Sequence, residues 1–112
     1  MLVNEEKLTP EEKIRLWGKI AYSYYELNDL DNALEYRQQE LEGYAVNLKK
    51  SKDDIELANC YLSIGKIYQK KGNLEDAMKH YKKCLEIQQN FYKSPLDINL
   101  ASTYMNMGII YR

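Results

Sequence analysis

The amino-acid sequence predicts an all-α fold made of helix hairpins in tandem, and three observations carry that prediction. Apolar residues recur mostly at three- and four-residue steps, which is the spacing of one buried helix face. Short turn signals, Asn28-Asp29 and Gly72-Asn73, interrupt this periodicity. A segment of 43 to 44 residues recurs along the 112-residue chain, so each hairpin is one copy of a repeated unit.

Two pairs of matching segments define the repeat. Residues 57–68 and 100–111 share Leu, Ala, Tyr, Gly and Tyr at a separation of 43, and residues 30–35 match residues 74–79 at a separation of 44. The chain therefore holds about two and a half copies of one unit. Because one hairpin cannot bury its own apolar faces, we expect the copies to stack around a continuous core with one concave wall.

The same signals predict five helices and no strand, near residues 10–27, 30–49, 54–71, 74–92 and 95–112. The first helix begins with Thr9 as N-cap, Pro10 at the first helical position and Glu12 three residues after the cap. The turn Asn28-Asp29 ends this helix and precedes the second one.

The second unit repeats this organisation, and a half unit follows it. Asp53 gives the third helix an acidic cap, and Gly72 stops that helix before the fourth. For the fifth helix, Ser94 is the expected N-cap, Pro95 the first helical residue and Asp97 the carboxylate of the first turn.

Small residues mark the expected contacts between paired helices. A small residue precedes a tyrosine by one turn in each first helix: Ala21, Gly65 and Gly108 precede Tyr24, Tyr68 and Tyr111. Ala33 and Ala77 supply the facing gap on the second helices. Two helices approach closely only where side chains are small, so these positions predict the helix crossings.

Composition excludes several classes of function. The net charge of −1 gives no global attraction to nucleic acid, no apolar run is long enough for a membrane span, and the first residues lack the order of a signal peptide. Two cysteines are too few for a disulfide framework, which favours a cytoplasmic, intracellular protein. Charge is uneven, with a balance of −5 over residues 1–56 and +4 over residues 57–112, as expected for solvated helix faces or for a gradient that orients a charged partner.

The repeat resembles the tetratricopeptide repeat, through one set of positions in the three units: Trp17, Ile20, Ala21, Tyr24 and Ala33; Tyr61, Ile64, Gly65, Tyr68, Ala77, Tyr81 and Cys84; Tyr104, Met107, Gly108 and Tyr111. The spacing is similar to the long-repeat branch found in kinesin light chains and Pins-type adaptors. The resemblance implies a right-handed superhelix, or α-solenoid, of about 2.5 repeats. Its expected parts are an N-terminal extension over 1–9, repeats over about 10–52 and 53–93, and a half repeat over about 94–112.

The first unit departs from the family pattern at two positions of its second helix. Arg37 and Glu40 stand where the family places an aromatic and a small residue. We therefore expect the first hairpin to pack differently there, or Tyr36 and Leu41 to take over.

The resemblance also implies a function, because tetratricopeptide domains bind extended or helical peptides on the concave face. Side chains of the first helices are expected to line that groove: Lys19, Tyr22, Glu26, Asn59, Leu62, Ser63, Lys66, Lys70, Met105, Asn106 and Ile109. In family members an Asn at the place of Asn106 often binds the peptide backbone, since an amide both donates and accepts. Repeat position also places Arg15, Gln69 and Ser102 there. The partner is thus expected to be a protein or peptide.

An alternative role is structural or regulatory, with the repeats packed in a larger assembly or against another domain. The half repeat predicts an exposed apolar face around Met107 and Ile110, which would associate with another chain or fray. In this interpretation the sequence is a piece of a longer solenoid.

Catalysis or metal binding is weakly supported by the sequence. His80 and Cys84 lie four residues apart on one helix, but a zinc site needs about four ligands and a catalytic cysteine needs an orienting group. Cys84 is instead expected to fill a small-residue position, with His80 on the flank. We predict no enzymatic activity, cofactor or metal.

Overall fold

The computed structural model of the chain describes residues 7–46, 55–92, 94 and 97–111, with side chains up to residue 108. Every regular element in these residues is a helix, which confirms the all-α prediction. The helices are α1 (Pro10–Glu26), α2 (Leu30–Val46), α3 (Ile55–Lys71), α4 (Leu74–Phe91) and α5 (Ile98–Tyr111). They belong to two compact units, Met1–Lys49 and Lys50–Arg112.

The predicted start of α1 is confirmed. The Thr9 side chain accepts a hydrogen bond from the Glu12 backbone N–H at 3.1 Å, and the Glu12 carboxylate accepts one from the Thr9 N–H at 3.1 Å. This reciprocal arrangement satisfies two N–H groups that the first helical turn leaves without partners. The predicted Asp53 cap lies outside the described residues, as does the expected end of α2 at residue 49.

A left-handed residue closes the α1–α2 hairpin. Asn28 has a φ of 63°, and the Asp29 N–H donates to the Tyr24 carbonyl at 2.9 Å, which satisfies one of the last carbonyls of α1. Asp29 then caps α2, because its side chain accepts from the backbone N–H and from the side-chain amide of Asn32. The turn predicted at Asn28-Asp29 is confirmed.

Small residues allow α1 and α2 to pack closely in unit 1. Ala21 and Ala33 are completely buried, as their predicted place at the crossing requires. A Cβ on Gly43 would lie 2.6 Å from Ile14 Cγ1 and 3.3 Å from the Trp17 ring, so the absent side chain leaves room for both.

The α3–α4 hairpin of unit 2 closes in the same way with a glycine. Gly72 has a φ of 87°, a conformation that L side chains rarely adopt, and the Asn73 N–H donates to the Tyr68 carbonyl at 2.9 Å. The predicted stop at Gly72-Asn73 is therefore confirmed.

α3 and α4 approach closely at Gly65. A Cβ there would lie 2.5 Å from Tyr81 Cε1, so the tyrosine ring packs directly on the α3 backbone. The Tyr81 hydroxyl donates to Gln69 Oε1 at 2.6 Å, and the whole residue is buried. The space left by the missing side chain of Gly65 is thus filled by the Tyr81 ring of α4.

The predicted start of α5 is wrong by three residues. The helix begins at Ile98 instead of near Pro95, and Asp97 replaces Ser94 as the cap. The Asp97 carboxylate accepts from the Asn99 backbone N–H at 2.9 Å, and its own N–H donates to the Ser94 carbonyl at 3.2 Å. An acidic residue therefore performs the capping that the sequence assigns to a serine.

A polar cluster at the centre of the contact fixes α5 on α4. Thr103 Oγ1 donates to Gln88 Oε1 at 2.6 Å and lies 3.8 Å from Cys84 Sγ, and all three residues are buried. Leu100 adds apolar contact one turn earlier. In contrast, nothing lies within 4 Å of a Cβ built on Gly108, so no second helix meets that position among the described residues.

Candidate functional site

Most side chains predicted to face a ligand are exposed to solvent. Seven of the eleven are exposed: Lys19, Tyr22, Glu26, Asn59, Lys66, Lys70 and Met105. Three are half-buried, namely Leu62, Ser63 and Asn106, and the Ile109 side chain lies outside the description. Lys19, Tyr22 and Glu26 belong to α1 in unit 1, and the other predicted residues belong to α3 and α5 in unit 2.

In unit 2, α3 and α5 lie next to each other on α4, so their exposed faces form one surface. Lys66 is exposed on α3, and Cys84 Sγ of α4 lies 3.8 Å from Thr103 Oγ1 of α5. Leu62 packs partly against the core cluster of Ala58, Cys84 and Ile87. This surface combines ammonium groups, amides and apolar side chains.

Two residues that the sequence predicts to be exposed on this surface, Gln69 and Met107, are half-buried. Gln69 is half-buried, and its side-chain Oε1 accepts a hydrogen bond from the Tyr81 hydroxyl, so this side chain stabilises the contact between α3 and α4. Met107 is half-buried, whereas Met105 is 70% exposed. The exposed apolar face of α5 is therefore centred closer to Met105 than predicted, and the Ile110 side chain lies outside the described residues.

Unit 1 contains an open pocket of about 520 Å³ between α1 and α2. Its lining comes from both helices: Arg15, Gly18, Lys19, Tyr22 and Ser23 of α1, with Arg37, Glu40 and Tyr44 of α2. Lys19 and Tyr22, predicted to face the ligand, are exposed here, but the sequence does not reveal a pocket. The departure of Arg37 and Glu40 from the repeat pattern is the signal that points to it.

Arg37 and Glu40 form an ion pair at the floor of this pocket. Arg37 Nη1 donates to Glu40 Oε1 at 2.9 Å, and the two side chains are 17% and 10% exposed. The second oxygen, Oε2, occupies the space that a Cβ on Gly18 would take. The expectation that the first hairpin packs differently is thus confirmed, since an ion pair occupies the positions of the aromatic and the small residue, and its carboxylate packs against Gly18.

A smaller cavity of about 230 Å³ lies on another side of hairpin 1, lined by Trp17, Gln39, Glu42, Gly43 and Val46. Its walls include the exposed Val46 and the indole edge.

The His80–Cys84 pair does not converge on one point. His80 Nδ1 lies 2.8 Å from the Asp76 carbonyl, and its ring packs against Tyr61 and Tyr68 at centroid distances of 6.1 and 5.3 Å. Cys84 is buried against Thr103, which confirms that it fills a small-residue position. Among the described residues, no group of three or more His, Cys, Asp or Glu side chains could hold a metal ion.

Burial affects two ionisable groups of unit 2. It raises the pKa of the Cys84 thiol, against smaller opposing effects of the Thr103 hydrogen bond and the Lys66 charge. Burial also raises the pKa of Tyr61, and neighbouring Cys60 adds to this effect. Both changes favour the neutral form, which is the form that packs in a core.

The surface chemistry of the two units is suited to holding another polypeptide. Exposed amides, ammonium groups and apolar anchors can contact a peptide through hydrogen bonds, charge and burial. Within the residues that are described, none of the helices has the length and apolar character needed to cross a membrane.

Comparison with known proteins agrees with the repeat architecture. The tetratricopeptide repeat family matches residues 12–90, which span both hairpins. No curated protein matches the chain. Repeats of this family are non-catalytic modules that generally mediate protein–protein interaction. With more than half of its sequence matched and its helices paired in hairpins, the chain belongs to the tetratricopeptide repeat family.

Proposed function

We propose that the chain binds a peptide, or an extended segment of a partner protein, on the concave face of a repeat array that covers residues 10–112. In this proposal the ligand lies along the first helices of the units. The contacting side chains are Lys19, Tyr22, Glu26, Asn59, Leu62, Ser63, Lys66, Lys70, Met105, Asn106 and Ile109.

The observation that carries the proposal is the mixed surface formed by α3 and α5. Asn59 and Lys66 are exposed on α3, and Met105 is 70% exposed on the neighbouring helix. An exposed methionine can bury an apolar anchor, an ammonium group can pair with a carboxylate, and an amide can bind peptide N–H and C=O groups.

A second candidate role is packing within a larger assembly. Three large apolar or aromatic side chains of α5 support it, since Ile98, Tyr104 and Met105 are 80%, 49% and 70% exposed. In this alternative a helix of another chain, including a second copy, covers α5. The two roles differ in the occupant they expect, a linear peptide or a folded helix face.

A cytoplasmic site of action fits both roles. Cys60 and Cys84 are both buried in unit 2 and are not joined in a disulfide, an arrangement that is typical of proteins in reducing compartments.

The test begins with a peptide-display selection on the full chain, followed by two substitutions. Asn106→Ala removes the amide expected to bind the peptide backbone, and Lys66→Glu reverses an exposed charge on α3. We expect each substitution to weaken the affinity for a selected peptide by about tenfold, which is roughly the contribution of one hydrogen bond or ion pair with a charged partner.

Lys79→Glu is the matched control, because Lys79 is an exposed lysine of α4 outside the proposed groove. Its affinity should equal that of the unmodified chain. A selected peptide that binds Asn106→Ala and Lys66→Glu as tightly as the control would rule out the proposed groove. Stable dimers in sedimentation, lost on Met105→Glu, would favour the assembly role instead.

A further inference from the structure

Basic side chains of hairpin 1 are concentrated in the 520 Å³ pocket between α1 and α2. Residues 7–46 contain five Lys or Arg and eight Asp or Glu, a balance of −3. Three of the five basic residues, Arg15, Lys19 and Arg37, nevertheless line this one pocket beside a single carboxylate, Glu40. The pocket is therefore positive on a hairpin that is otherwise acidic.

The carboxylate of Glu40 is paired with Arg37 and mostly covered by its neighbours. Oε1 accepts from Arg37 at 2.9 Å, and Oε2 packs against the Gly18 backbone. A basic ligand would thus find the Glu40 charge paired and mostly covered. The guanidinium of Arg37 has five N–H donors, and the bond to Glu40 involves one of its nitrogens, so donors remain for an anion at the pocket floor.

Exposed groups at the pocket mouth complete a site for an anionic side chain. Arg15 and Lys19 are exposed and one turn apart on α1, so both cations can reach a group held above Arg37. Tyr22, 57% exposed, offers a ring against which the aliphatic part of a peptide can pack.

We propose that this pocket binds the side-chain carboxylates of an acidic peptide segment. The inference deepens the proposed function and rests on it, since Lys19 and Tyr22 belong to the proposed peptide groove. It adds the charge of the ligand and the contribution of α2 through Arg37. The volume is within the range of sites that hold small ligands or a few side chains.

The corresponding region of unit 2 lacks this site. At a separation of 44 residues, Arg37 and Glu40 correspond to Tyr81 and Cys84, both completely buried. Gly18 corresponds to Leu62, so unit 2 also lacks the gap that Glu40 Oε2 fills in unit 1. The Tyr81 ring packs instead on Gly65, the counterpart of Ala21. Acidic recognition is thus a property of the first unit, created by two substitutions in the repeat.

The test uses fluorescence anisotropy of the full chain with three short fluorescein-labelled probes, amidated at the C-terminus. One probe alternates Glu with Gly, and the other two carry Gln or Lys in place of Glu. We expect binding of the Glu probe only, and weaker binding as salt is raised. Because the probes are amidated, their terminal carboxylate makes no contribution.

Charge reversals place the probe on the protein. Arg15→Glu and Lys19→Glu should each weaken the Glu probe by about fivefold, the upper range for one exposed ion pair. Lys79→Glu serves as control and should leave it unchanged. Both reversed residues are exposed, and circular dichroism establishes that each variant is folded.

Three results would overturn the inference. They are equal binding of the Gln or Lys probe, no binding of the Glu probe, and equal losses in Lys19→Glu and Lys79→Glu. If Lys66→Glu alone abolishes Glu-probe binding, the acidic ligand lies on α3, so the pocket assignment is wrong while the proposed peptide groove stands. A display-selected peptide that is insensitive to Asn106→Ala and Lys66→Glu counts against the groove, independently of the Glu probe.

Discussion

Replacing Gly65 by alanine should destabilise unit 2, although alanine is the better helix former. A Cβ at this position would lie 2.5 Å from Cε1 and 2.7 Å from Cδ1 of Tyr81. The ring cannot retreat easily, because Tyr81 is completely buried and its hydroxyl is held by Gln69 at 2.6 Å. α3 and α4 must therefore separate locally.

Two opposing effects determine the magnitude. Overpacking a well-packed contact costs roughly 1 to 3 kcal/mol, whereas exchanging glycine for alanine inside a helix contributes about 1 kcal/mol of stability. The clash at Gly65 is with a rigid ring and not with the end of a flexible side chain. We therefore expect the upper part of the first range, and a net loss of about 1 to 2 kcal/mol in the free energy of unfolding.

Gly108→Ala is the matched control. Gly108 also lies in a helix, but a Cβ there meets nothing within 4 Å. This variant should gain up to about 1 kcal/mol from helix propensity alone. Urea unfolding followed by far-ultraviolet circular dichroism measures both variants, and the two changes should have opposite signs.

Tyr81→Leu supplies a second check, since it removes the ring that a Cβ on Gly65 would meet. In that background Gly65→Ala should be neutral or stabilising, with a coupling free energy of about 1 kcal/mol or more. Equal stabilisation by Gly65→Ala and Gly108→Ala in the unmodified chain would refute the reasoning. It would mean that the helices adjust to a methyl group at no cost.

Three further predictions concern other contacts. Thr103→Val should lower the free energy of unfolding by about 1 to 3 kcal/mol, because it removes the buried donor to Gln88, while Thr103→Ser should retain most stability in the same urea experiment. The hydrogen bond from the Thr9 N–H lowers the pKa of Glu12, so the ionised carboxylate stabilises α1 at pH values above its ordinary pKa and loses this effect as pH falls through the lowered pKa. The difference in the free energy of unfolding between the unmodified chain and Glu12→Gln should therefore shrink in acid. A difference that stays constant with pH would contradict this prediction. Burial raises the pKa of Cys84, so a thiol reagent should label it only as urea unfolds the chain, and immediate labelling in native buffer would show the thiol to be accessible.

Much of the fold follows from local sequence signals. The capping box at Thr9 and the left-handed turns at Asn28 and Gly72 depend on neighbouring residues, so pattern reasoning finds them. The start of α5 illustrates the limit of such signals. Ser94 and Asp97 are both residues that favour the N-cap position, and local sequence alone does not determine which of them caps α5.

The candidate site is harder to predict, because it depends on side chains brought together by packing. Exposure of Lys66 and Met105 follows from their place in the repeat. The role of Gln69 does not, because its bond to Tyr81 crosses between helices. The pocket of unit 1 likewise requires the three-dimensional approach of Glu40 to Gly18, and the sequence shows only that Glu40 breaks the pattern.

The hydrogen bond from Thr103 to Gln88 specifies the position at which α5 packs. An interface of apolar side chains alone would accept α5 shifted by a turn, or on another hairpin, at little cost. Forty-four residues before Gln88 the first unit carries Tyr44, so a phenol stands where unit 2 has the amide that accepts the hydrogen bond from Thr103. On the α1–α2 hairpin Thr103 would lose this amide acceptor, so the bond to Gln88 favours α4 as the helix on which α5 packs.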